Sequence, residues 1–462
     1  MFSLSHRSMT VASVVAGLLI ASGSAAAAPA TSDRVLPLSP AIVGIATPAE
    51  TVAPAAVAPK PVSPAKLRSA ALTLRSAGVV GSDPSKAVFA DWFRYKDSVR
   101  NTWHVHEVEG DPNKVIIRMK GNETPEGVKV EPRYRVMVLY PRPSSAYDIA
   151  ISTILGMFAE RDIQAEVIVV NFRRDDERGR QAIALAEQEN ADLIYAMGSQ
   201  STAWLWKNYR GGKIPVISVT SKDPVILGQS KSYDRGTGTN FAFTSLNMPV
   251  EAQMAYLLEL KPELTNLAIL VDSNNVSAME TQARPMAMTA RSKGIRVLRL
   301  EVKDSENARA ELAKLVRNGV STMRKNDITL ERSVFWITGS TSVFREIDTI
   351  NQHSDRVPVL SVVPEVVKAG DASAALSIGI SFNSNAHLAS LYGIRVLKRE
   401  APVGSLNVGV VSPPDIAINF RKVREIGLKM PFSFIEGAGF IYDYDGKVVR
   451  HPERSAVQAD GS

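Results

Sequence analysis

The chain has 462 residues, of which 45% are hydrophobic and 22% charged, so it is a globular protein long enough to bury one large core or two. It contains no cysteine, which excludes disulfides, thiolate metal sites, a cysteine nucleophile and a lipid anchor attached to cysteine. The formal net charge is +7, but basic and acidic residues are interspersed along the chain, so we expect no nucleic-acid partner.

The first 28 residues have the pattern of a secretory signal peptide. Arg7 is their only charge, an apolar run from Val11 to Ile20 follows, and small residues suited to cleavage come next. The apolar run is too short to span a membrane. We therefore expect a periplasmic protein that is not anchored in the membrane.

Two further segments precede the main body of the chain. Residues 29–66 are rich in proline and alanine and are predicted to form a flexible linker. Residues 67–132 are an N-terminal extension of unknown role. We expect it to begin with a short helix from Leu67 to Gly78 and to continue as a few strands, with turns at 110–112 and 121–122.

From Arg133 onward, short apolar runs alternate with helical patterns. The runs include YRVMVLY, AEVIVVNF, DLIYAMG, LAILVD and SVFWITG, each five to eight residues long and each followed by a helical segment. This alternation predicts an α/β fold with parallel sheets built from right-handed crossovers. Two blocks of domain size, 133–243 and 246–378, predict two doubly wound lobes.

Small polar residues recur where a strand ends and a helix begins. They occur at Ser144 and Ser145, at 199–202, at 272–275 and at 338–342. Ligands of open parallel sheets bind at this edge, and free N–H groups at a helix start favour an anion. The alternative is that these residues only cap their helices, since Ser, Thr, Asp and Asn are the preferred caps.

The second half of the chain resembles a known family. IPVISVTSKDPVILG (214–228), LLELKPELTNLAILVDSNNVSAMETQ (257–282) and SPPDIAINFRKVREIGLKMPFSFIEGAGFIY (412–442) are similar to segments of the extracytoplasmic solute-binding proteins of ABC importers related to the tryptophan- and tyrosine-binding components. The resemblance implies a type I periplasmic-binding-protein-like fold with lobes joined by hinge strands near 242–245, 379–381 and 411–414. Residues 381–411 would complete lobe 1, residues 414–442 would complete lobe 2, and residues 443–462 would be a flexible tail.

The resemblance also implies which residues meet a ligand. Ser199, Gln200, Ser201 and Thr202 would bind its carboxylate or a similar anion from lobe 1, and Ser273, Asn274, Asn275, Ser340 and Thr341 would close on it from lobe 2. Asp223 would accept a hydrogen bond from an ammonium group, although Asp-Pro is equally a turn signal. Tyr147 would offer a flat surface unless it belongs to the core, and Glu365 is a weaker candidate at another strand end.

Several positions depart from the family pattern. The usual Asn-Pro-x-Asn-Pro reads DSNNV at 272–276, the later loop reads TGSTS at 338–342, and a Gly-Gly-Asn motif survives only as RGTGTN at 235–240. These changes fall near the expected cleft. The ligand is therefore expected to differ from an aromatic amino acid.

Taken together, these features predict the binding protein of an ABC importer. It would be a monomer without cofactor or metal that carries a small polar ligand, an amino acid or a related carboxylate, to a membrane permease. The sequence has no nucleophile elbow, zinc-protease motif or phosphate loop, so we expect no enzyme. The alternative is a periplasmic ligand sensor that docks onto a membrane receptor through its N-terminal extension.

Overall fold

The structure is a computed structural model of the chain and describes residues 92–120 and 132–451. The predicted signal peptide (1–28), the Pro/Ala-rich linker (29–66) and the predicted helix from Leu67 to Gly78 lie outside the described residues, as does the predicted turn at 121–122.

Helices and strands alternate along most of the described chain. The strands are β1 (Trp103–Val108), β2 (Asp111–Met119), β3 (Tyr134–Tyr140), β4 (Ala165–Asn171), β5 (Leu193–Met197), β6 (Val216–Val219), β7 (Phe241–Ala242), β8 (Thr244–Ser245), β9 (Asn266–Asp272), β10 (Arg296–Val302), β11 (Ser333–Ile337), β12 (Val359–Ser361), β13 (Leu376–Gly379), β14 (Gly409–Val410), β15 (Asp415–Asn419), β16 (Ala438–Tyr442) and β17 (Val448–Arg450). The helices are α1 (Asp97–Arg100), α2 (Ser145–Glu160), α3 (Asp176–Gln188), α4 (Gly198–Asn208), α5 (Val250–Leu260), α6 (Val276–Ala278), α7 (Arg284–Ser292), α8 (Ala308–Met323), α9 (Thr341–Phe344), α10 (Ile347–His353), α11 (Phe382–Leu397), α12 (Phe420–Glu425) and α13 (Phe432–Gly437). A π-helical turn, Met279–Ala283, joins α6 to α7.

The two main sheets have the same parallel core. In the first, β4, β3, β5, β6 and β7 lie side by side in parallel, and in the second β10, β9, β11, β12 and β13 do the same. In both, the first strand of the unit lies between the second and the third, which is the doubly wound order with its switch point beside the first strand. The predicted fold of two doubly wound lobes is confirmed.

Both faces of the first sheet are covered, which explains its continuous apolar strands. Along β3, Val136, Val138 and Tyr140 belong to one buried cluster, whereas Met137 and Leu139 belong to another. Successive side chains of a strand point to opposite faces, so a strand between two helical layers must be apolar at every position.

The described part of the N-terminal extension belongs to the first lobe. Strands β1 and β2 form an antiparallel hairpin that extends the first sheet beyond β4. Trp92 and Trp103 are buried, and the Trp103 indole N–H donates to the carbonyl of Leu155 in α2 at 3.1 Å. Residues 92–120 therefore help to build the core of lobe 1 and are not a separate module.

The chain crosses between the lobes three times. It leaves the first sheet after β7 and passes through β8 into lobe 2, and it returns after β13 to form α11, which lies against α2 of lobe 1. It then runs through β14, which pairs with β8 in a small parallel hinge sheet, and enters the second sheet as β15. Residues on the three crossings therefore border both lobes.

The predicted flexible tail, 443–462, is partly wrong. Its beginning forms a hairpin, because β17 pairs antiparallel with β16. The Asp443 carboxylate accepts from the backbone N–H groups of Asp445 and Lys447, and the Arg450 guanidinium donates to three backbone carbonyls of the preceding segment. The remainder of the predicted tail, 452–462, lies outside the described residues.

Candidate functional site

The candidate site is a cleft of about 310 Å³ at the carboxyl ends of the parallel strands of both lobes. From lobe 1 it is lined by residues that follow β3, β4, β5 and β6, and from lobe 2 by residues that follow β9, β10 and β11. Each set surrounds the switch point of its own sheet, where doubly wound proteins bind ligands. The apolar side chains of Leu246, Phe344 and Phe382 are part of the lining.

In lobe 1, helix α4 begins directly at the cleft. Gly198, the first residue of α4, directly follows β5 with φ of 74°, and a β-carbon there would lie 2.1 Å from the Tyr147 hydroxyl oxygen. Only glycine combines this left-handed backbone with such a close approach. Ser199 and Gln200 follow in the first turn of the helix and line the cleft, where free backbone N–H groups favour an anion.

Two arginines stand at the lobe 1 side of the cleft. Arg142 follows β3 and Arg174 follows β4. The Arg142 Nε is buried and has no hydrogen-bond partner within the described part of the chain. The pKa of Arg174 is lowered, first by burial and then by the neighbouring Arg142 charge. Two like charges are thus held together beside the cleft, which makes this side of it favourable for an anion.

Lys222 is the most buried cation of the cleft. Its side chain follows β6 in lobe 1 and is only 7% exposed. Burial lowers the pKa of its ammonium group from 10.5 to about 8. Its Nζ reaches lobe 2, where a β-carbon on Gly339 would lie 2.1 Å from it. Lys222 therefore contacts both lobes at the cleft.

In lobe 2, Asp272 organises the loops around the cleft. Its carboxylate accepts hydrogen bonds from the hydroxyls of Ser305, at 2.6 Å, and Ser342. It also accepts from the backbone N–H of Asn274 at 2.9 Å. Because these three donors lie just after β9, β10 and β11, Asp272 ties the three strand ends together.

The neighbouring lobe 2 residues are also held in place. The Asn275 side chain caps helix α6 by accepting from the Ala278 N–H at 3.2 Å. The Gln282 side chain accepts from the Gly339 N–H at 2.8 Å, which fixes the backbone that Lys222 approaches. This side of the cleft is therefore pre-organised by its own hydrogen bonds.

The cleft contains half of the residues predicted from the sequence to meet a ligand. These are Ser144, Tyr147, Ser199, Gln200, Asn274, Asn275 and Thr341. Tyr147 is only 7% exposed and its pKa is raised by burial, so it lines the cleft and also belongs to the core.

Three other predicted residues face the protein interior. The hydroxyls of Ser201 and Thr202 donate to the carbonyls of Leu139 and Gly198, both at 2.9 Å, and both side chains are fully buried. Ser340 is also fully buried and accepts from the Asp272 N–H at 3.3 Å. A helical turn directs successive residues to different sides, so a run of polar residues cannot line one cleft in full.

The remaining four predicted residues also lie outside the cleft lining. Ser145 is exposed at the start of α2, and the Ser273 hydroxyl donates to the Val302 carbonyl at 3.0 Å. The Asp223 carboxylate accepts from the N–H groups of its own turn and from the Tyr233 hydroxyl. The Glu365 carboxylate accepts from the Phe382 N–H at 2.6 Å, at the start of α11.

None of the charged residues of the cleft was among the residues predicted to bind a ligand. They are Arg142, Arg174, Lys222, Asp272 and Glu306. A signal was present, because the first four stand within three residues of a strand end. The sequence predictions favoured small polar residues at those ends, and the two acids among them, Asp223 and Glu365, lie outside the cleft lining.

Two doubly wound lobes whose switch points share one cleft define the type I periplasmic-binding-protein class. A family model described as ABC transporter substrate binding protein matches residues 143–439, nearly two thirds of the chain. The chain belongs to this family, as the sequence resemblance predicted. A search of curated proteins gives no significant match.

Solved structures share the fold. A conserved domain protein from Vibrio cholerae O1 biovar El Tor has 16% identity and a TM-score of 0.53, covering 66% of this chain and 98% of its own. The ABC domain from Streptococcus pneumoniae in complex with L-Trp has 17% identity and a TM-score of 0.53. The match covers 67% of this chain and 99% of the Streptococcus pneumoniae domain. A third structure is a substrate-binding protein with adhesive properties from Clostridium difficile, in its ligand-free, open form. It has 17% identity and a TM-score of 0.51, and the match covers 66% of this chain and 98% of the Clostridium difficile protein.

Proposed function

We propose that this protein is an extracytoplasmic solute-binding protein that carries a small polar ligand, an amino acid or a related carboxylate, to the permease of an ABC importer. The observation that carries the proposal is the shared cleft, where strand ends of both lobes present hydroxyls, amides, helix N–H groups and three cations. Membership of the ABC transporter substrate-binding family supports the transport role.

Binding would proceed by closure of the two lobes. A carboxylate bound first at the start of α4, near Ser199 and Gln200, would bring an anion next to free backbone N–H groups. Asn274, Asn275 and Thr341 of lobe 2 would then complete its hydrogen bonds. Closure is a hinge motion, and charge-assisted hydrogen bonds shielded from water are the strong ones.

The proposal includes the location of the protein and its mode of action. None of the helices within residues 92–120 and 132–451 combines the length and the apolar character needed to cross a membrane. We propose that the protein acts in the periplasm, that it is a monomer without a membrane anchor, and that it releases its ligand chemically unchanged.

Thermal unfolding of the protein with a panel of amino acids and small organic acids tests the proposal. A ligand at a hundred times its Kd raises the free energy of unfolding by about 2.7 kcal/mol, because it binds only the native state. We expect at least one compound to raise Tm and the Gln200→Ala variant to weaken that effect. Gln188→Ala, at an exposed glutamine of α3 outside the cleft, is the matched control. If no compound in the panel raises Tm, the protein is not a carrier of such ligands.

A further inference from the structure

We infer that the ligand is an organic anion without an ammonium group, a carboxylate that is not an amino acid, and that Lys222 binds its negative charge. This inference rests on the proposed solute-binding function and narrows its ligand class.

The first observation is the position of Lys222. Its side chain is more than nine-tenths buried and lines the cleft, and its Nζ lies against the Gly339 backbone of the opposite lobe. Among the described residues, no carboxylate forms a salt bridge or hydrogen bond with this ammonium group. Burial is the only cause that lowers its pKa, which agrees with a buried charge that lacks a counter-charge.

The second observation is the charge of the surrounding cleft. Arg142 and Arg174 add two more cations to its lining, and the buried Arg142 Nε has no partner within the described chain. Lobe 2 contributes Asp272 and Glu306. Glu306 and Arg174 are both exposed, and Asp272 already accepts from two serine hydroxyls and one backbone N–H, so the buried charges of the cleft are dominated by Lys222.

The third observation concerns the acid that the sequence predicted to receive an ammonium group. Asp223 does not line the cleft, and its carboxylate accepts from the N–H groups of Val225 and Ile226 and from the Tyr233 hydroxyl. A ligand ammonium would therefore enter a cleft lined by three cations, whose only lining acids among the described residues are the engaged Asp272 and the exposed Glu306. A carboxylate would instead give Lys222 the partner that it lacks, because buried charges are stable only when paired.

Calorimetric titration of the full chain with matched pairs of compounds tests this inference. Each pair differs by a single ammonium group: glutarate and L-glutamate, 3-phenylpropanoate and L-phenylalanine, 4-methylpentanoate and L-leucine. We expect the compound that binds to lack the ammonium group and to bind at least about tenfold more tightly than its amino acid, equivalent to about 1.4 kcal/mol. Any further ligand found by thermal unfolding is compared in the same way with the compound that differs from it by one ammonium group.

The outcomes separate this inference from the proposed function. If an amino acid binds as tightly as its partner without the ammonium group, or more tightly, the inference is overturned and the solute-binding proposal stands. If no compound of either kind binds, the solute-binding proposal itself fails, and the inference with it.

A lysine variant adds a second readout. Lys222→Met replaces the buried ammonium group by an apolar side chain of similar length, so we expect the variant to fold. It should weaken binding of the carboxylate by about 10- to 100-fold, the range for a hydrogen bond to a charged group. Lys213→Met, at an exposed lysine before the same strand β6, is the matched control and should leave Kd unchanged. Equal affinities of the Lys222→Met and Lys213→Met variants would overturn the assignment of Lys222.

Discussion

The Lys222 ammonium approaches the Gly339 backbone so closely that a β-carbon at Gly339 would lie 2.1 Å from Nζ. The two residues follow strands of different lobes, β6 and β11, so this approach takes a charge from one lobe to the surface of the other. The absence of a side chain at position 339 is what permits it. Several testable properties of the protein depend on this relationship.

The Gly339→Ala variant should move the lysine without unfolding the protein. The atom that meets the new methyl group is the far end of a flexible side chain, so the lysine can turn away at small cost. We expect the affinity for a carboxylate to fall by about tenfold, since one charge-assisted hydrogen bond is misplaced. Calorimetry measures the Kd. Gly439→Ala, where a β-carbon meets nothing within 4 Å, should change neither Kd nor Tm.

Lys222→Met should stabilise the ligand-free protein at neutral pH. The lysine pKa is lowered from 10.5 to about 8, so its buried charge destabilises the fold fully below pH 8 and ceases to do so above about pH 10.5. At about 1.4 kcal/mol per pKa unit, this shift lowers the free energy of unfolding by roughly 3 kcal/mol while the lysine is charged. Urea unfolding at pH 7 and pH 10.5 should show the variant more stable at the lower pH and nearly equal at the higher. A variant less stable than the parent at pH 7 would contradict this prediction.

Ligand binding should take up protons above pH 8. A carboxylate next to Lys222 favours its charged form, which raises the pKa from about 8, so affinity should fall as pH rises beyond that value. The other charged groups of the cleft are Arg142, Arg174, Asp272 and Glu306. Calorimetry at pH 8.5 in two buffers of different ionisation enthalpy measures the uptake. The Lys222→Met variant should show none, whereas Lys213→Met should behave as the parent.

The carboxyl group of Glu365, which lies at the hinge, should make the free energy of unfolding depend on pH. Burial, above all, raises the pKa of its carboxyl group from 4.5 to about 7, and the charge of Asp415 adds to the effect. Because the folded-state pKa is the higher one, the stabilisation is complete below pH 4.5 and is lost as pH rises to 7. The side-chain carbonyl oxygen of Glu365→Gln can still accept from the Phe382 N–H, but the glutamine cannot ionise. We expect it to unfold with about the parent's free energy at pH 4.5 and to be roughly 2–3 kcal/mol more stable at pH 8. Chemical denaturation at both values measures this, and equal stability at pH 8 would show that the carboxyl is not destabilised by burial.

The N-terminal hairpin should be required for the stability of lobe 1. Trp103 is 2% exposed and its indole donates to the α2 backbone, so Trp103→Ala should cost about 3–5 kcal/mol of unfolding free energy. His104→Ala, at the next and exposed position of the same strand, should have little effect. By the same reasoning, deletion of residues 29–130 should lower Tm strongly. A stable protein after this deletion would contradict the assignment of this segment to the core.

The hairpin also shows why its role was not predicted from the sequence. Trp103 in the hairpin and Trp92 before it are recognisable as core formers, but nothing local says which sheet the hairpin joins. Strand β2 pairs with β4, which lies about 50 residues later in the chain, and such a pairing is decided by the exposed edge of the first sheet.

The sequence by itself determined the two lobes, because short apolar strand runs and the 3.6-residue pattern of helices are local, and it determined the edge on which the cleft would lie. It also indicated Ser199, Gln200 and Asn275, since polar residues after a strand mark helix starts. Only the tertiary structure decided that Ser201 and Thr202 face the core while Lys222, Arg142 and Arg174 line the cleft. The reason is physical: the net charge of a cleft arises from side chains that are distant in sequence, and whether each one reaches it depends on how the two lobes meet.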